Sequence, residues 1–192
     1  EDMIEGEYLS EASIKKAINT LMVFRKFCMH NDIPNKSIIP VVSESIGRAL
    51  NSESFIKLVY NSTGIKFRFL SPDDEALYIH RSVVYTLNVD KCIILSIGGA
   101  STHIIKSDNG YASSYSCIPA GELNASMKHG LDGAITEQNL ASFQKELNAL
   151  LSGLDWLKED SDRVVVGVGG TARAIARILM RNSAYPLENV HN

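Results

Sequence analysis

The stretch that decides the fold of this chain is residues 92–102, Cys92-Ile93-Ile94-Leu95-Ser96-Ile97-Gly98-Gly99-Ala100-Ser101-Thr102. Its apolar first part predicts a buried strand, and the glycine and hydroxyl residues that follow predict a tight turn. Such a turn is a common way to bring backbone N–H groups up to a phosphate, because glycine lets the main chain approach an anion closely. An ordinary hairpin turn that merely uses glycines is the alternative interpretation.

A second stretch repeats this pattern about 70 residues further on. The apolar run 164–166 leads into Gly167-Val168-Gly169-Gly170-Thr171, and residues 172–181 are typical of a helix. Thr171 is therefore expected at or near a helix N-terminus, where free N–H groups and the helix dipole both favour phosphate. Two such loops facing each other would hold one phosphorylated ligand between them. A dinucleotide-binding fingerprint is not favoured, since the full glycine spacing and a downstream ribose-binding acid are missing.

The composition is that of an ordinary globular protein, with 45% hydrophobic and 21% charged residues among 192. The formal net charge of -3 gives no field that would attract a polyanion, so nucleic-acid binding is disfavoured. An anionic ligand would need local help from backbone amides, a helix N-terminus or a bound cation. No histidine pattern has zinc-ligand spacing, and no Gly-x-Ser-x-Gly sequence marks a serine hydrolase.

The surroundings expected for this chain follow from its cysteines and its apolar runs. The three cysteines have no paired spacing, which favours a reducing cytoplasm. No apolar run approaches the roughly 20 residues that cross a bilayer, and no signal peptide opens the chain, so no membrane role is expected. Residues 1–6 look like an interior cut through a longer protein.

Helices and strands alternate up to about Asp90, and a hairpin-led half follows. Ser10 is expected to cap a first helix, residues 37–42 are expected to form a short strand interrupted by Pro40, and Gly64 suits a helix C-terminus. Three antiparallel strands are predicted at residues 92–97, 103–106 and 111–118, and a helix capped by Thr136 follows them. The expected division is therefore residues 1–90 and 91–192.

Three consecutive acids follow a capping serine in Ser71-Pro72-Asp73-Asp74-Glu75. They have an ordinary explanation, because carboxylates in the first turn complement the positive end of the helix dipole. The alternative is that one of them is a general base.

Several of these segments resemble signatures of the exopolyphosphatase and guanosine pentaphosphate phosphohydrolase (Ppx/GppA) family. Residues 96–103 resemble its Asp-Ile-Gly-Gly-Gly-Ser-Thr-Glu signature, and residues 167–177 are similar to its second glycine motif almost letter for letter. Residues 71–76 resemble Ser-Gly-x-Glu-Glu-Ala, and residues 48–51 match the end of an earlier motif. Tyr185-Pro186-Leu187 occurs where the family often has the same tripeptide.

The resemblance implies an α/β protein with the actin-like ATPase (ribonuclease H-like) fold, in which two lobes with mixed sheets flanked by helices clamp a phosphate chain. Residues 1–90 would be the C-terminal part of lobe one and residues 91–192 lobe two. The implied reaction is hydrolysis of the terminal phosphoanhydride of polyphosphate or guanosine pentaphosphate, with Mg²⁺ as cofactor. Glu75 would be the base that activates water. The implied phosphate-binding residues are Gly98, Gly99, Ser101, Thr102, Gly169, Gly170 and Thr171.

The chain departs from the family pattern at the implied metal site. Ser96 stands where the family has the Asp that helps to hold the metal, and His103 stands where it has a Glu. Gly47 and Leu77 stand where the family has arginines, and the N-terminal Asp-x-Gly-Ser-Asn loop is not found. A regulatory protein of the same fold that binds phosphate or nucleotide with weakened hydrolysis is therefore the alternative function. A homodimer and a monomer are both open.

Overall fold

The computed structural model describes residues 4–5, 7–158, 163–183 and 185. Their contacts form two compact units, one up to Glu75 and one from Ala76 onward. The elements are β1 (Ile4–Glu5), β2 (Tyr8–Leu9), α1 (Glu11–His30), a 3₁₀ turn (Asn35–Ser37), β3 (Val41–Ser43), α2 (Glu44–Gly47), α3 (Ser52–Thr63), β4 (Arg68–Leu70), α4 (Pro72–Leu87), β5 (Cys92–Ile97), β6 (Thr102–Asp108), β7 (Tyr111–Ile118), α5 (Glu122–His129), α6 (Glu137–Ser152), α7 (Asp155–Lys158), β8 (Val164–Val168) and α8 (Gly169–Asn182).

The first unit packs α1 and α3 around a small apolar core. Ser10 caps α1 as expected, because its hydroxyl accepts the N–H of Ser13. Gly64 ends α3 with φ of 70°, a left-handed conformation that glycine adopts without strain. Strands β1 and β2 are antiparallel, whereas β3 and β4 are parallel. The buried core residues are Leu9, Ala49, Phe55 and Val59.

Asn51 joins the start of α3 to β2. Its side-chain oxygen accepts the Leu9 N–H at 2.8 Å, and its side-chain nitrogen donates to the Leu9 carbonyl at 2.9 Å. The amide thus pairs with the edge of β2 as another strand would. This residue closes the segment 48–51, so that part of the family resemblance has a structural explanation.

The strand predicted at residues 37–42 is wrong in its position. Residues 35–37 form a 3₁₀ turn, and β3 begins only at Val41. Pro40 has no N–H to donate to a neighbouring strand, and its ring fixes φ, so regular pairing starts after it. Its carbonyl still accepts the N–H of Arg68 at 2.9 Å.

The second unit is a four-stranded mixed sheet in the order β7-β6-β5-β8. Strands β5, β6 and β7 are successive antiparallel neighbours, as predicted, and β8 pairs parallel to β5 on its other side. Asn109 and Gly110 close the β6–β7 hairpin with φ of 51° and 76°. Both have positive φ, as the Asn-Gly signal predicts for this hairpin.

Alternate residues of β5 enter two different cores. Cys92 and Ile94 pack with Ala76 and Val83 of α4, whereas Ile93 packs with Ile104, Ile118 and the apolar side of α6. Successive strand residues point to opposite faces, so helices cover both faces of the sheet. The expected α/β organisation, with a mixed sheet flanked by helices, is confirmed.

Some expectations are not tested by the structure, or concern residues that it does not describe. The lobe boundary expected near residue 90 stays a prediction. Pro186, Leu187 and the residues before Ile4, on which part of the sequence analysis rests, lie outside the described residues. In the described part of the chain, no helix is both long and apolar enough to span a membrane.

His80 of α4 lies in a buried polar cluster against β6. Its Nε2 is 3.0 Å from the hydroxyl of Ser107, which is itself fully buried and donates to the Asp90 carbonyl. Arg163 donates to the Ser107 carbonyl at 2.7 Å and to the Asp108 carboxylate at 2.6 Å. Burial lowers the pKa of His80, and the charge of Arg81 lowers it further. His80 is therefore a neutral core residue.

The lowered pKa of His80 predicts an acid-sensitive fold. The unfolded chain, with a histidine pKa of about 6.5, binds a proton there more readily than the folded chain. We expect the His80 contribution to the free energy of unfolding to be complete above that pH and to decline as pH falls below it. Urea unfolding at about pH 7 and pH 5 measures this decline.

His80→Asn is expected to reduce that decline, whereas His30→Asn, at an exposed histidine of α1, leaves it unchanged. An equal decline in the wild-type protein and His80→Asn would show that another group controls the acid sensitivity.

Candidate phosphate-binding site

The parallel pairing of β5 with β8 brings the two glycine turns to one edge of the sheet. Ser96 pairs with Val168, so the strands end at the same level. The first turn follows Ile97, and α8 begins directly after Val168. The Thr171 hydroxyl lies 3.5 Å from the Ile97 carbonyl oxygen. The two motifs that the sequence separates are therefore neighbours in space.

The first turn, residues 98–101, connects β5 to β6 as a hairpin. The Gly98 N–H donates to the Ser101 carbonyl at 2.9 Å, and a Cβ on Gly98 would lie 3.2 Å from that oxygen. The backbone N–H groups of Gly99, Ala100 and Ser101 donate to no other group of the described residues. Three successive main-chain donors are therefore left for an anion.

The carbonyl side of this turn is bound by α5. The N–H groups of Glu122 and Leu123 donate to the carbonyls of Gly98 and Gly99, both at 2.9 Å. The Asn124 side chain donates to the Ala100 carbonyl at 2.8 Å. The first-turn donors of α5 are thus used within the protein, and they fix the turn from behind.

Gly121, at the N-cap of α5, is the point where this helix meets the turn. A Cβ there would lie 2.4 Å from the Gly99 carbonyl oxygen and 2.5 Å from the Ala100 carbonyl carbon. Its φ of -87° is open to any residue, so the requirement for glycine is steric. Helix α5 begins at the next residue, Glu122.

The second turn has no loop of its own. Gly169 has φ of 94° and is already the first residue of α8, so the helix begins three residues before the predicted start. Its N-cap residue, Val168, makes no capping hydrogen bond with its side chain. A Cβ on Gly170 would meet no atom within 4 Å, which shows that the helix start borders open space at this residue. The predicted position of Thr171 near a helix N-terminus is confirmed.

Glu122 joins the two turns, and the sequence motifs did not indicate it. Its Oε2 accepts a hydrogen bond of 2.6 Å from the Thr171 hydroxyl. The acid stands at the first position of α5, where a carboxylate has the ordinary explanation of complementing the dipole. Only the tertiary pairing of β5 with β8 brings it to Thr171.

Thr102 has a structural contact of its own at this edge. It is buried, and its hydroxyl donates to the Ala120 carbonyl at 2.6 Å. This bond holds the start of β6 to the segment that leads into α5. Ser101, by contrast, is half-buried within the turn itself.

Glu75 lies in the first turn of α4, within the first unit, directly after Asp73 and Asp74. Asp74 forms a reciprocal cap with Ser71: the Asp74 N–H donates to the serine hydroxyl at 3.1 Å, and the Ser71 N–H to the Asp74 carboxylate at 3.4 Å. Asp74 also lies 3.8 Å from Arg68. Glu75 is the next residue, and its N–H donates to the Ser71 carbonyl at 3.0 Å. Capping therefore explains Asp74, and the role of Glu75 as a base stays a prediction.

The position implied for a metal carries neutral and soft donors. Ser96 and His103 are directly opposite each other on β5 and β6, and His103 Nε2 lies 3.9 Å from the Cys117 sulfur. Mg²⁺ requires oxygen ligands, usually carboxylates. Within the described ranges, no group of three or more His, Cys, Asp or Glu side chains could hold a metal ion. These residues do not fit a resident Mg²⁺ ion.

Comparisons with known proteins agree on one family. The model of the Ppx/GppA phosphatase family matches residues 3–192. The crystal structure of the Aquifex aeolicus family member is similar to this chain, with 24% sequence identity and a TM-score of 0.72. The match covers 95% of this chain and 57% of the Aquifex aeolicus chain. An exopolyphosphatase from Cytophaga hutchinsonii is 15% identical with a TM-score of 0.84, covering 95% and 59%. These likenesses confirm the actin-like fold.

A curated relative extends the comparison to a larger protein. The bifunctional 3-dehydroquinate synthase/phosphatase of Fusobacterium nucleatum is 23% identical over 203 residues. The match covers 100% of this chain and 30% of that protein. The chain therefore spans less than two thirds of the length of the relatives it matches.

The contact of Gly121 with the first turn predicts a specific packing defect. Gly121→Ala places a Cβ against main-chain atoms that α5 holds in place, so the turn or the helix must shift. We expect a loss of about 1–3 kcal/mol in the free energy of unfolding, as for other overpacked sites. Urea unfolding measures it. Gly133→Ala is the matched control, since a Cβ there meets no atom within 4 Å; equal stability of the two variants would contradict the steric requirement.

Proposed function

This chain belongs to the Ppx/GppA phosphatase family, and we propose that it serves the hydrolysis of a terminal phosphoanhydride in inorganic polyphosphate or guanosine pentaphosphate. The chain spans 57% of the Aquifex aeolicus structure, so the activity of the whole protein is part of this proposal. The observation that carries it is the meeting of two glycine turns at the ends of β5 and β8, with backbone donors turned to no other described residue. All three cysteines are free, which supports a reducing cytoplasm as its location.

In this proposal the phosphate is bound mainly by the main chain. The N–H groups of Gly99, Ala100 and Ser101 donate to phosphoryl oxygens from one side, and the uncapped first turn of α8 donates from the other. Donors fixed in place before the reaction stabilise the charge that develops on the transferred phosphoryl group. The net charge of -3 makes such local donors necessary.

Water activation is assigned to Glu75. Its carboxylate accepts a proton from the attacking water as the new O–P bond forms, and the bridging O–P bond breaks to release the shortened chain. The assignment is supported by the family resemblance of residues 71–76. In this proposal magnesium is carried by the polyphosphate substrate, because Ser96 and His103 place no carboxylate at the position implied for a metal.

A phosphate-binding protein with weakened hydrolysis is the second candidate function. The specific observation in its favour is the pair Ser96 and His103, where the family pattern has two acids. Binding and turnover therefore have to be measured separately, on the same preparations.

Glu75→Gln tests the base directly. Removing a general base is expected to lower phosphate release from polyphosphate by about 10²–10⁴-fold, with ligand affinity changed less than about threefold. Release is measured with a phosphate assay in the presence of magnesium, and affinity by calorimetry with tripolyphosphate. Glu53→Gln, an exposed acid in the first turn of α3, is the control. Unchanged release in Glu75→Gln would contradict the role of Glu75, and binding without release in all proteins would support the second function.

Gly170→Ala separates phosphate binding from folding. The added methyl group meets no other described residue within 4 Å, so the unfolding midpoint is expected to stay equal or to rise slightly, since alanine favours a helix. The same methyl group enters the space where an anion would approach the start of α8, so tripolyphosphate affinity is expected to fall about tenfold. Wild-type affinity in this variant would place the ligand elsewhere.

A further inference from the structure

Glu122 links the two glycine turns to which the proposed function assigns an anion. Its Oε2 is 2.6 Å from the Thr171 hydroxyl, which also lies 3.5 Å from the carbonyl of Ile97. Thr171 belongs to the first turn of α8, and Glu122 to the first turn of α5. One carboxylate therefore connects the helix behind the first turn to the helix that forms the second.

The backbone of Glu122 is held in a fixed place. Its own N–H donates to the Gly98 carbonyl, and the next N–H donates to the Gly99 carbonyl. The backbone of Gly121 also packs closely against the same turn. The carboxylate is carried by a rigid element that contacts the turn itself.

The charge of Glu122 has no cationic partner in the described structure. No Lys, Arg or His among residues 7–158, 163–183 and 185 lies within 4 Å of its carboxylate, and the side chain is exposed. Its only described hydrogen bond is the one from the Thr171 hydroxyl. A phosphate that takes the Thr171 hydroxyl as a donor must compete with this bond and approach an uncompensated negative charge.

We propose that Glu122 is a specificity-determining residue that selects phosphate chains neutralised by a divalent cation over the free anion. The inference rests on the proposed phosphate site and adds to it a residue outside both glycine motifs. The carboxylate accepts a hydrogen bond from the Thr171 hydroxyl. A polyphosphate without a bound cation is repelled by the Glu122 carboxylate. A polyphosphate that carries a magnesium ion is not repelled, because the ion balances the negative charges of the phosphate and of Glu122.

Calorimetry with tripolyphosphate tests the selection, using the full 192-residue chain with EDTA or with magnesium chloride. Glu122→Gln keeps an oxygen that accepts from Thr171, removes the charge and replaces the other oxygen with an amide NH2 group. We expect this variant to bind the free anion about tenfold more tightly than the wild-type protein does. In the magnesium complex the difference is expected to fall to about twofold or less, since the repulsion is already neutralised. Glu137→Gln is the matched control, because Glu137 is also an exposed acid at the first position of a helix.

The outcomes separate this inference from the function on which it rests. If Glu122→Gln and the wild-type protein both bind and have equal affinity for the free anion, or if the variant binds it more weakly, the selective role is wrong and the phosphate site stands. An equal gain in Glu137→Gln would show a general effect of charge and overturn the role as well. If neither protein binds tripolyphosphate in either solution, the phosphate site itself is wrong, and the inference falls with it.

Discussion

The parallel pairing of β5 with β8 is the constraint on which the candidate site depends. The carboxyl ends of two parallel neighbours must meet at one edge, so whatever follows Ile97 and whatever follows Val168 become neighbours. Ligands of open α/β sheets bind at such ends for this reason. Here both strands are followed by glycine, and the backbone is left bare on both sides. Without this pairing the first turn would be an ordinary hairpin and the second an ordinary uncapped helix start.

The turn is also held from the side opposite the ligand. Helix α5 directs its first N–H groups at the carbonyls of Gly98 and Gly99, and Gly121 lets the two backbones touch. Satisfying the carbonyls within the protein orients the peptide planes, so the remaining N–H groups of the turn point away from α5. A helix N-terminus that could itself have bound an anion is thus used to prepare the donors of the neighbouring turn. The second helix, α8, keeps its N-terminus open.

The parts of this arrangement that the sequence predicted are those with a local cause. Strands, hairpins, the Ser10 cap and the start of α8 near Thr171 follow from periodicity, capping residues and glycine turns, and the family resemblance supplied the fold. Gly121, Glu122 and Asn51 could not be identified in this way. Each acts on a partner at least 21 residues away, Gly121 against Ala100 being the nearest, and each has an ordinary local explanation as a helix-start residue. The error in the strand predicted at residues 37–42 also has a local cause. The apolar pattern was given more weight than Pro40, which delays strand pairing until Val41.

The placement of acids gives the site its chemical character. At the position where the family pattern has acids, Ser96 and His103 face each other across β5 and β6. A carboxylate is present instead at Glu122, at the start of the helix that binds the first turn's carbonyls, and it contacts the second turn through Thr171. A metal bound by two cross-strand acids would be held with or without substrate, whereas a single carboxylate with no further acidic ligand holds a hard cation weakly. A cation at this edge is therefore expected to depend on the phosphate that brings it. That dependence would make the substrate complex, and not the protein alone, the complete metal site.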